Sequence, residues 1–340
     1  TGPRTYATNK TYSLGLRQAV FRRDRFIQLE QADSRIAQAD AELVAAQQDL
    51  IIRVARAYFL LLGAQDNLVF VRADKEALTR TLDQARQRFE VGLAAITDSL
   101  QAQAAYDIAL SDEIDAEQLL ADAREALREL TGSYPDEPEI LQEEIPLLAP
   151  APADEDAWVE ASSDQNPLVL AARAAATTAR EEIRVQQSGH YPSIDMTADY
   201  TYLDNRFGGL TQLERDDSSI GLEMNLPLYQ GGLITSQTRE SRYRYNQALE
   251  EQAGQQRAVE RQTRDNYRGV ISGISRVNAL LRAIQSNEKA YEAAEAGFEV
   301  GTRDIIDVLA AQRDLLRARR DHARSRYDYL LDTLRLKQAA

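Results

Sequence analysis

The residues best suited to chemistry lie in two matching stretches. Residues 89–103 read FEVGLAAITDSLQAQ, and residues 298–312 read FEVGTRDIIDVLAAQ. At an offset of 209 they agree at nine of fifteen positions, including the aspartates Asp98 and Asp307. Arg303 adds a guanidinium, which can form a charge-assisted, bidentate pair with a carboxylate. Most exposed ion pairs of this kind have no measurable effect on stability, which is the alternative to any functional role for the pair.

Both stretches lie where one helical segment ends and another begins. The residues upstream are mainly Ala, Leu, Gln, Arg and Glu, which favour helix. Gly92 and Gly301 can adopt the left-handed conformation that ends a helix, and Thr97 with Asp98 can cap the helix that follows. The sequence therefore predicts two helical hairpins with related tips. A match of this length also predicts two copies of one large supersecondary unit.

The repeat sets the predicted domain organisation. The first repeat spans 1–130, with a strand at about 11–20, a long helix at about 24–91, a tip at 92–97 and a return helix at about 96–130. A linker rich in proline and acidic residues occupies 131–165. The second repeat spans 166–340, with a helix at 166–188, strands at about 192–203 and 218–229, a long helix at about 233–300, a tip at 301–304 and a return helix at about 304–335. Each long helix would measure about 100 Å.

The predicted strands alternate apolar and polar residues, as in SIDMTADYTY at 193–202 and SIGLEMNLPL at 219–228. A half-buried antiparallel sheet on a soluble core would show this pattern. A transmembrane β-barrel with lipid outside and water inside would show it too. Two or three strands cannot close a barrel, so a barrel would need several chains. We expect the first repeat to be incomplete at its N-terminus, with a fourth strand upstream of Thr1, so that a trimer would supply about twelve strands.

Composition narrows the classes of function. The net charge of −14 argues against a nucleic-acid partner, and the lack of cysteine excludes disulfides and thiolate metal sites. The two histidines, His190 and His322, lie in different predicted elements, and no phosphate-binding glycine loop or metal-spaced cluster is present. We therefore expect no enzyme, no cofactor and no resident metal. No run of eighteen apolar residues occurs, so we expect no transmembrane helix.

Taken in order, these motifs resemble the outer membrane factor family, the TolC-like efflux and secretion channels. The resemblance covers nearly the whole chain and is strongest at RFEVGLAAITD (88–98), GHYPSIDMTADY (189–200), LPLYQGGLI (226–234) and EAGFEVGTRDIIDVL (295–309). It implies a mostly α fold with β structure, an elongated homotrimer whose twelve-stranded transmembrane β-barrel continues into a long periplasmic α-helical barrel.

The resemblance also implies a function and partners. The protein would be a passive exit duct of a tripartite efflux pump or type I secretion system, surrounded by lipid of the bacterial outer membrane and gated at its periplasmic tips. Its partners would be a periplasmic adaptor (membrane fusion protein) and an inner-membrane transporter of the RND, ABC or MFS type. A soluble periplasmic coiled-coil scaffold or adaptor is the alternative, which explains the helices and acidic surface but not the alternating strands.

Individual residues acquire roles through the same resemblance. Adaptor contacts would fall on Gly92, Leu93, Gly301 and Thr302. A gate latch would join Arg303 to Thr97 and Asp98. Phe298 occupies the position of a gate tyrosine, so one closing constraint would be absent or replaced.

The resemblance further implies a ring of lumen-facing aspartates at the constriction, matched by Asp307. A second ring in the family has no match here, because Ala310 occupies its position. We hypothesise that Asp304 keeps this ring one turn closer to the tip, on the same helix face as Asp307. Such rings would favour cations, and polyvalent cations could bind there and block the pore. The alternative role for Asp304 is an N-terminal helix acid.

Overall fold

The computed structural model describes residues 7–134, 141, 145–207 and 211–339. This part of the chain is mostly helical, with one three-stranded sheet. The strands are β1 (Ala7–Phe21), β2 (Ser193–Phe207) and β3 (Thr211–Asn225). The helices are α1 (Arg23–Glu90), α2 (Ile96–Thr131), α3 (Glu155–Gln165), α4 (Pro167–Gln187), α5 (Leu233–Glu299) and α6 (Ile305–Ala339). A 3-10 turn, Ser188–His190, follows α4.

The sheet is antiparallel in the order β1-β2-β3, and within the described residues no core covers its apolar face. Leu14, Leu16, Ile220 and Leu222 lie on this face and are between 58% and 83% exposed. On the opposite face, the Arg17 guanidinium lies 2.6 Å from a carboxylate oxygen of Glu223, and its Nε lies 3.5 Å from one of Asp195. A sheet over a soluble core would bury the apolar side chains. Of the two predicted alternatives, this arrangement favours the lipid-facing one.

The strand boundaries differ from the predicted ones. β2 and β3 stay paired from Ser193–Asn225 to Phe207–Thr211, so most of the polar stretch 203–217, expected to be a loop, is strand, and 208–210 lie outside the described residues. Ladder hydrogen bonds join backbone groups, so polar side chains do not interrupt them. β3 ends at Asn225, although the prediction extended to 229, because Pro227 has no N–H to donate.

The helices end near the predicted glycines, but one helix was missed. α3 occupies residues 155–165, within the predicted linker. The side chain of Asp154 accepts a hydrogen bond from the N–H of Asp156 at 3.0 Å, so the acidic run that suggested a linker is the N-cap and first turn of α3. Other parts of the linker, 135–140 and 142–144, lie outside the described residues.

The chain divides into two compact units. The first comprises Thr1–Glu42 and Pro167–Gln255, and it contains the sheet. Gln31, 1% exposed, anchors its helices by donating to the carbonyl of Thr178 at 3.0 Å and to the carboxylate of Glu182 at 3.1 Å. The second comprises Leu43–Asn166 and Gln256–Ala340, and it contains both hairpin tips.

Within the second unit, the segment 145–148 packs against α5 and α6. The hydroxyl of Tyr329 accepts from the N–H of Leu148 at 2.8 Å and donates to its carbonyl at 3.0 Å. Ile145, Leu147 and Trp158 contact the buried cluster that includes Val270 and Tyr329. This irregular segment is thus attached to the helices by the hydrogen bonds of one tyrosine hydroxyl to its backbone and by apolar contacts.

One 18-residue window of α1 is apolar enough, by length and composition, to cross a membrane, contrary to the expectation from the sequence. Core helices of soluble proteins pass the same test, and 33% of this window is buried. The window is weak evidence of a transmembrane helix.

Candidate functional site

The first hairpin tip joins α1 to α2. Gly92 has φ of +77°, and the N–H of Leu93 donates to the carbonyl of Arg88 at 2.7 Å. This is the hydrogen bond of a Schellman-type helix end, in which a left-handed residue lets the chain satisfy helix carbonyls. The predicted role of Gly92 as a helix terminator therefore agrees with the backbone.

The predicted cap of α2 is wrong. Its N-cap residue is Ala95, which makes no side-chain hydrogen bond to the helix. Thr97 and Asp98 lie in the first turn of α2, beyond the N-cap position, so their side chains cannot serve as the N-cap. The Thr97 hydroxyl instead lies 3.4 Å from the Asp98 carboxylate, on an exposed surface.

The second tip has the same type of backbone turn. Gly301 also has φ of +77°, and the N–H and hydroxyl of Thr302 both donate to the carbonyl of Gly297, at 2.8 and 3.1 Å. The aliphatic part of Arg303 lies directly over Gly297, where a Cβ atom would be only 3.0 Å from the Cγ of Arg303. Gly297 therefore leaves room for the arginine to cross the end of its own helix.

The two tips differ sharply in burial. Phe298 and Ile305 of the second tip are 9% and 1% exposed, in a cluster that includes Leu82, Ala85 and Ala102 from α1 and α2. Their counterparts in the first tip, Phe89 and Ile96, are 42% and 54% exposed. The second tip is thus covered by the first hairpin, whereas the matching surface of the first tip is open in a single chain.

Arg88 holds the two tips together. Its guanidinium carbon lies 4.7 Å from the centre of the Phe298 ring, and its Nη1 donates to the Phe298 carbonyl at 3.1 Å. Sequence analysis selected Phe298 but missed Arg88, because the two residues lie 210 positions apart and no shared pattern links them. The position that lacks a tyrosine hydroxyl is therefore held by a cation over the ring and a hydrogen bond to the backbone.

The described residues of one chain do not bring the predicted latch together. Neither Thr97 nor Asp98 forms a hydrogen bond or ion pair with Arg303 in this part of the structure, and all three belong to the second unit. An ion pair between these residues would have to form between two protomers or after a movement of the tip.

The acidic residues of the second tip are accessible. Asp307 is exposed in α6, between the buried residues Ile305 and Val308. Asp304 lies one residue before α6, and its carbonyl accepts from the N–H of Asp307 at 3.2 Å. Asp304 thus lies at the N-terminal end of α6, which suits its alternative role as a helix N-terminal acid, and the second acidic ring stays a prediction. Within the described residues of one chain, no group of three His, Asp or Glu side chains could hold a metal ion.

Comparison with known proteins agrees with the fold. The family model described as outer membrane efflux protein matches residues 2–133 and 158–340, which includes both hairpins and all three strands. The chain belongs to the outer membrane efflux protein family. The resemblance stated from the sequence motifs is thereby confirmed.

Individual relatives of this efflux protein support the same assignment. The chain is 40% identical over 325 residues to the outer membrane protein TolC of Vibrio cholerae, a match that covers 95% of this chain and 74% of the relative. It is 24% identical over 327 residues to the alkaline protease secretion protein AprF of Pseudomonas aeruginosa, covering 96% and 68% respectively. The crystal structure of the outer membrane protein VceC from Vibrio cholerae shares the fold, with a TM-score of 0.79, 22% identity and coverage of 99% and 85%.

This efflux protein is an exit duct of the bacterial outer membrane, with a large periplasmic part, that serves efflux and secretion. The predicted exit duct and its location in the outer membrane are confirmed, whereas gating at the tips stays a prediction. The family consists of transport proteins rather than enzymes. The alternative of a soluble scaffold or adaptor is not supported, because the matching family and its TolC relative are outer-membrane proteins.

Proposed function

We propose that this efflux protein is a homotrimeric passive conduit, without catalytic activity, whose closed state is held at the helix tips. The observation that carries the proposal is the difference in burial between the two tips. We also propose that each chain consists of two repeats, 1–130 and 166–340, joined by the linker 131–165, so that each repeat contributes one hairpin tip.

The exposed residues of the first tip supply the argument for a ring. Phe298 and Ile305 are buried by the first hairpin of the same chain, and Phe89 and Ile96 are their exposed counterparts. In a closed ring of alternating hairpins, Phe89 and Ile96 would be covered by the second hairpin of the next protomer. Such a head-to-tail contact closes after a fixed number of chains. With three chains, we propose a β-barrel of about twelve strands and an α-helical barrel.

The gate would combine two kinds of contact. Arg88 clamps Phe298 within each protomer, and Arg303 would reach Thr97 and Asp98 of a neighbouring protomer. The stem of Arg303 is already fixed over Gly297, so its guanidinium projects from a defined point. Because Phe298 lacks a hydroxyl, the contact of Arg303 with Asp98 of the next protomer would contribute a larger share of the free energy that stabilises the closed gate.

The outer ends of the tips suit an adaptor. Val91, Leu93 and Val300 flank the two glycines and are 69%, 73% and 76% exposed. Exposed apolar side chains beside left-handed glycines, in both tips, form a surface onto which a periplasmic adaptor hairpin could pack, at Gly92, Leu93, Gly301 and Thr302. An inner-membrane transporter of the RND, ABC or MFS type would supply the energy. The name of AprF adds protein secretion to drug efflux as a role of such a duct.

Single-channel conductance in a planar bilayer tests the conduit and its latch together. We expect a small, noisy conductance from the wild-type protein and a clear increase for Arg303→Ser. Arg324→Ser is the matched control, since Arg324 is an exposed α6 arginine whose neighbour Asp328 lies 3.8 Å away. A large wild-type conductance that Arg303→Ser leaves unchanged would discard the latch, and no conductance from folded trimer would discard the conduit.

The same bilayers test the acidic ring. Asp307→Asn should weaken block by a trivalent cation, because three carboxylates at the constriction would become neutral. Asp304→Asn should do the same only if Asp304 forms a second ring. Unchanged block in Asp304→Asn would leave Asp304 as a helix N-terminal acid.

A further inference from the structure

A cationic cavity of about 630 Å³ lies in the first unit, where the strands give way to helices. Its walls come from the start of α1, the end of α4 with the following 3-10 turn, and the start of α5. Arg23, Arg184, Arg239, Arg242 and His190 are among the described residues that line it, and none of those lining residues is Asp or Glu.

Three of these arginines lack a carboxylate partner among the described residues. Arg184 is neutralised by Glu30, at 2.7 Å, and by Glu181. Arg23 instead lies over the ring of Tyr191, 4.0 Å from its centre. Arg239 and Arg242 form no described ion pair, although Arg244 on the same helix pairs with Glu240 at 2.6 Å. In a chain with a net charge of −14, this is a local positive field that favours an anion.

A buried hydroxyl gives independent support for a ligand. Thr238 lines the cavity and is 9% exposed, and its Oγ1 has no hydrogen-bond partner. Buried polar atoms in proteins normally have a partner. Arg242 lies four residues after Thr238 and three after Arg239 on α5, so it neighbours both on the helix surface, and all three residues line the one cavity. The first turns of α1 and α5 add the positive ends of two helix dipoles.

The position of the cavity indicates the source of the anion. Arg23 follows the last residue of β1 by two positions, and Tyr191 precedes the first residue of β2 by two. The cavity therefore lies beside the helical ends of strands whose apolar face is exposed. At this level a membrane-spanning sheet meets the headgroups of the periplasmic leaflet, where aromatic rings such as that of Tyr191 are favoured.

We propose that this cavity binds the phosphate headgroup of an anionic phospholipid of the periplasmic leaflet, one per protomer. Thr238, Arg239 and Arg242 would donate to the phosphate oxygens, and Arg23 would be held at the entrance by Tyr191. The site rests on the proposed membrane-spanning sheet but is independent of the gate at the tips. The conductance experiment on the gate and the lipid-binding experiment on the cavity can therefore give independent results.

Native mass spectrometry of the detergent-purified, delipidated trimer, titrated with phosphatidylglycerol, tests the proposal. We expect the double variant Arg239→Gln/Arg242→Gln to bind phosphatidylglycerol about tenfold more weakly or worse, since two charged hydrogen-bond donors are lost. Arg244→Gln, on the same helix but ion-paired outside the cavity, should bind as the wild type does. Thr238→Val should weaken binding without removing charge.

A parallel titration with inorganic phosphate separates the two sources of a phosphate group. Arginine-dependent binding of phosphatidylglycerol that excess inorganic phosphate does not displace would support the lipid site. Arginine-dependent binding of inorganic phosphate without binding of the lipid would overturn the lipid assignment. Equal lipid binding by wild type and double variant, both intact trimers, would overturn the site itself.

Discussion

Single residues at the tips carry interactions between distant parts of the chain. Arg88 lies in the last turn of α1 and Phe298 in the last turn of α5, so one arginine connects the turns of two hairpins. The contact combines a cation over an aromatic face with a hydrogen bond to a helix-terminal carbonyl. Each is modest, about 1 kcal/mol, but both act at the point where the hairpins would have to separate for the duct to open.

Arg88→Met should therefore loosen the tips, because it removes the charge and the donor while keeping much of the side-chain length. We expect a higher mean single-channel conductance than in the wild type. Arg86→Met is the control, since Arg86 contacts Gln103 on an exposed surface and no ring. Equal conductance of the two variants would show that the Arg88–Phe298 contact does not restrain the gate.

Asp74 is a residue whose protonation is linked to folding. Burial raises the pKa of its carboxyl, an effect only partly offset by the hydrogen bond that Gln312 donates at 2.8 Å. When the pKa of a carboxyl is higher in the folded state than in the unfolded state, the folded state loses stability as the pH rises from the unfolded-state pKa to the folded-state pKa. Above the folded-state pKa the loss is complete. Asp74→Asn should thus unfold at a higher temperature than the wild type at neutral pH.

The advantage of Asp74→Asn should shrink as the pH falls through the folded-state pKa and disappear below about 4, the unfolded-state pKa, where the wild-type carboxyl becomes protonated in both states. Thermal unfolding followed by circular dichroism at several pH values measures this. The exposed Asp33→Asn provides the comparison. An Asp74→Asn advantage that stays constant with pH would assign the effect to packing instead of ionisation.

At the scale of elements, the segment 145–148 shows how an irregular stretch is attached to long helices. Tyr329→Phe should remove both hydrogen bonds to Leu148, at a cost of about 1 kcal/mol, while the ring remains in its cluster. We expect faster hydrogen exchange in peptides covering 145–150. Tyr327 lies two residues before Tyr329 and donates its hydroxyl to Asp66. Tyr327→Phe removes that hydrogen bond and should leave the exchange of 145–150 unchanged. Similar acceleration in both variants would indicate general loosening of α6.

At the scale of the whole molecule, the open surface of the first tip argues for assembly. Ile96→Asp should weaken the trimer. Burial of a large apolar side chain in the interface stabilises the assembly by about 1.5–3 kcal/mol, whereas burial of an unpaired carboxylate there destabilises it. Light scattering after size-exclusion chromatography measures the mass in detergent. Leu93→Asp, at the proposed adaptor surface, should leave the trimer intact. A stable Ile96→Asp trimer would remove Ile96 from the interface between protomers.

The sequence by itself determined every α-helix but α3, the glycine ends of the two hairpin tips and the alternation of the strands, because these depend on local propensity and periodicity. It also determined the family, through two copies of one tip motif. Tertiary structure decided that no core covers the apolar face of the sheet within the described residues, since alternation alone is the same for a covered and an uncovered face. It also decided that Phe298 is buried under Arg88 while Phe89 is open, although the two phenylalanines share one motif. Likewise, only folding brings Arg23, Arg239 and Arg242 to one cavity, because contacts between distant segments leave no local pattern.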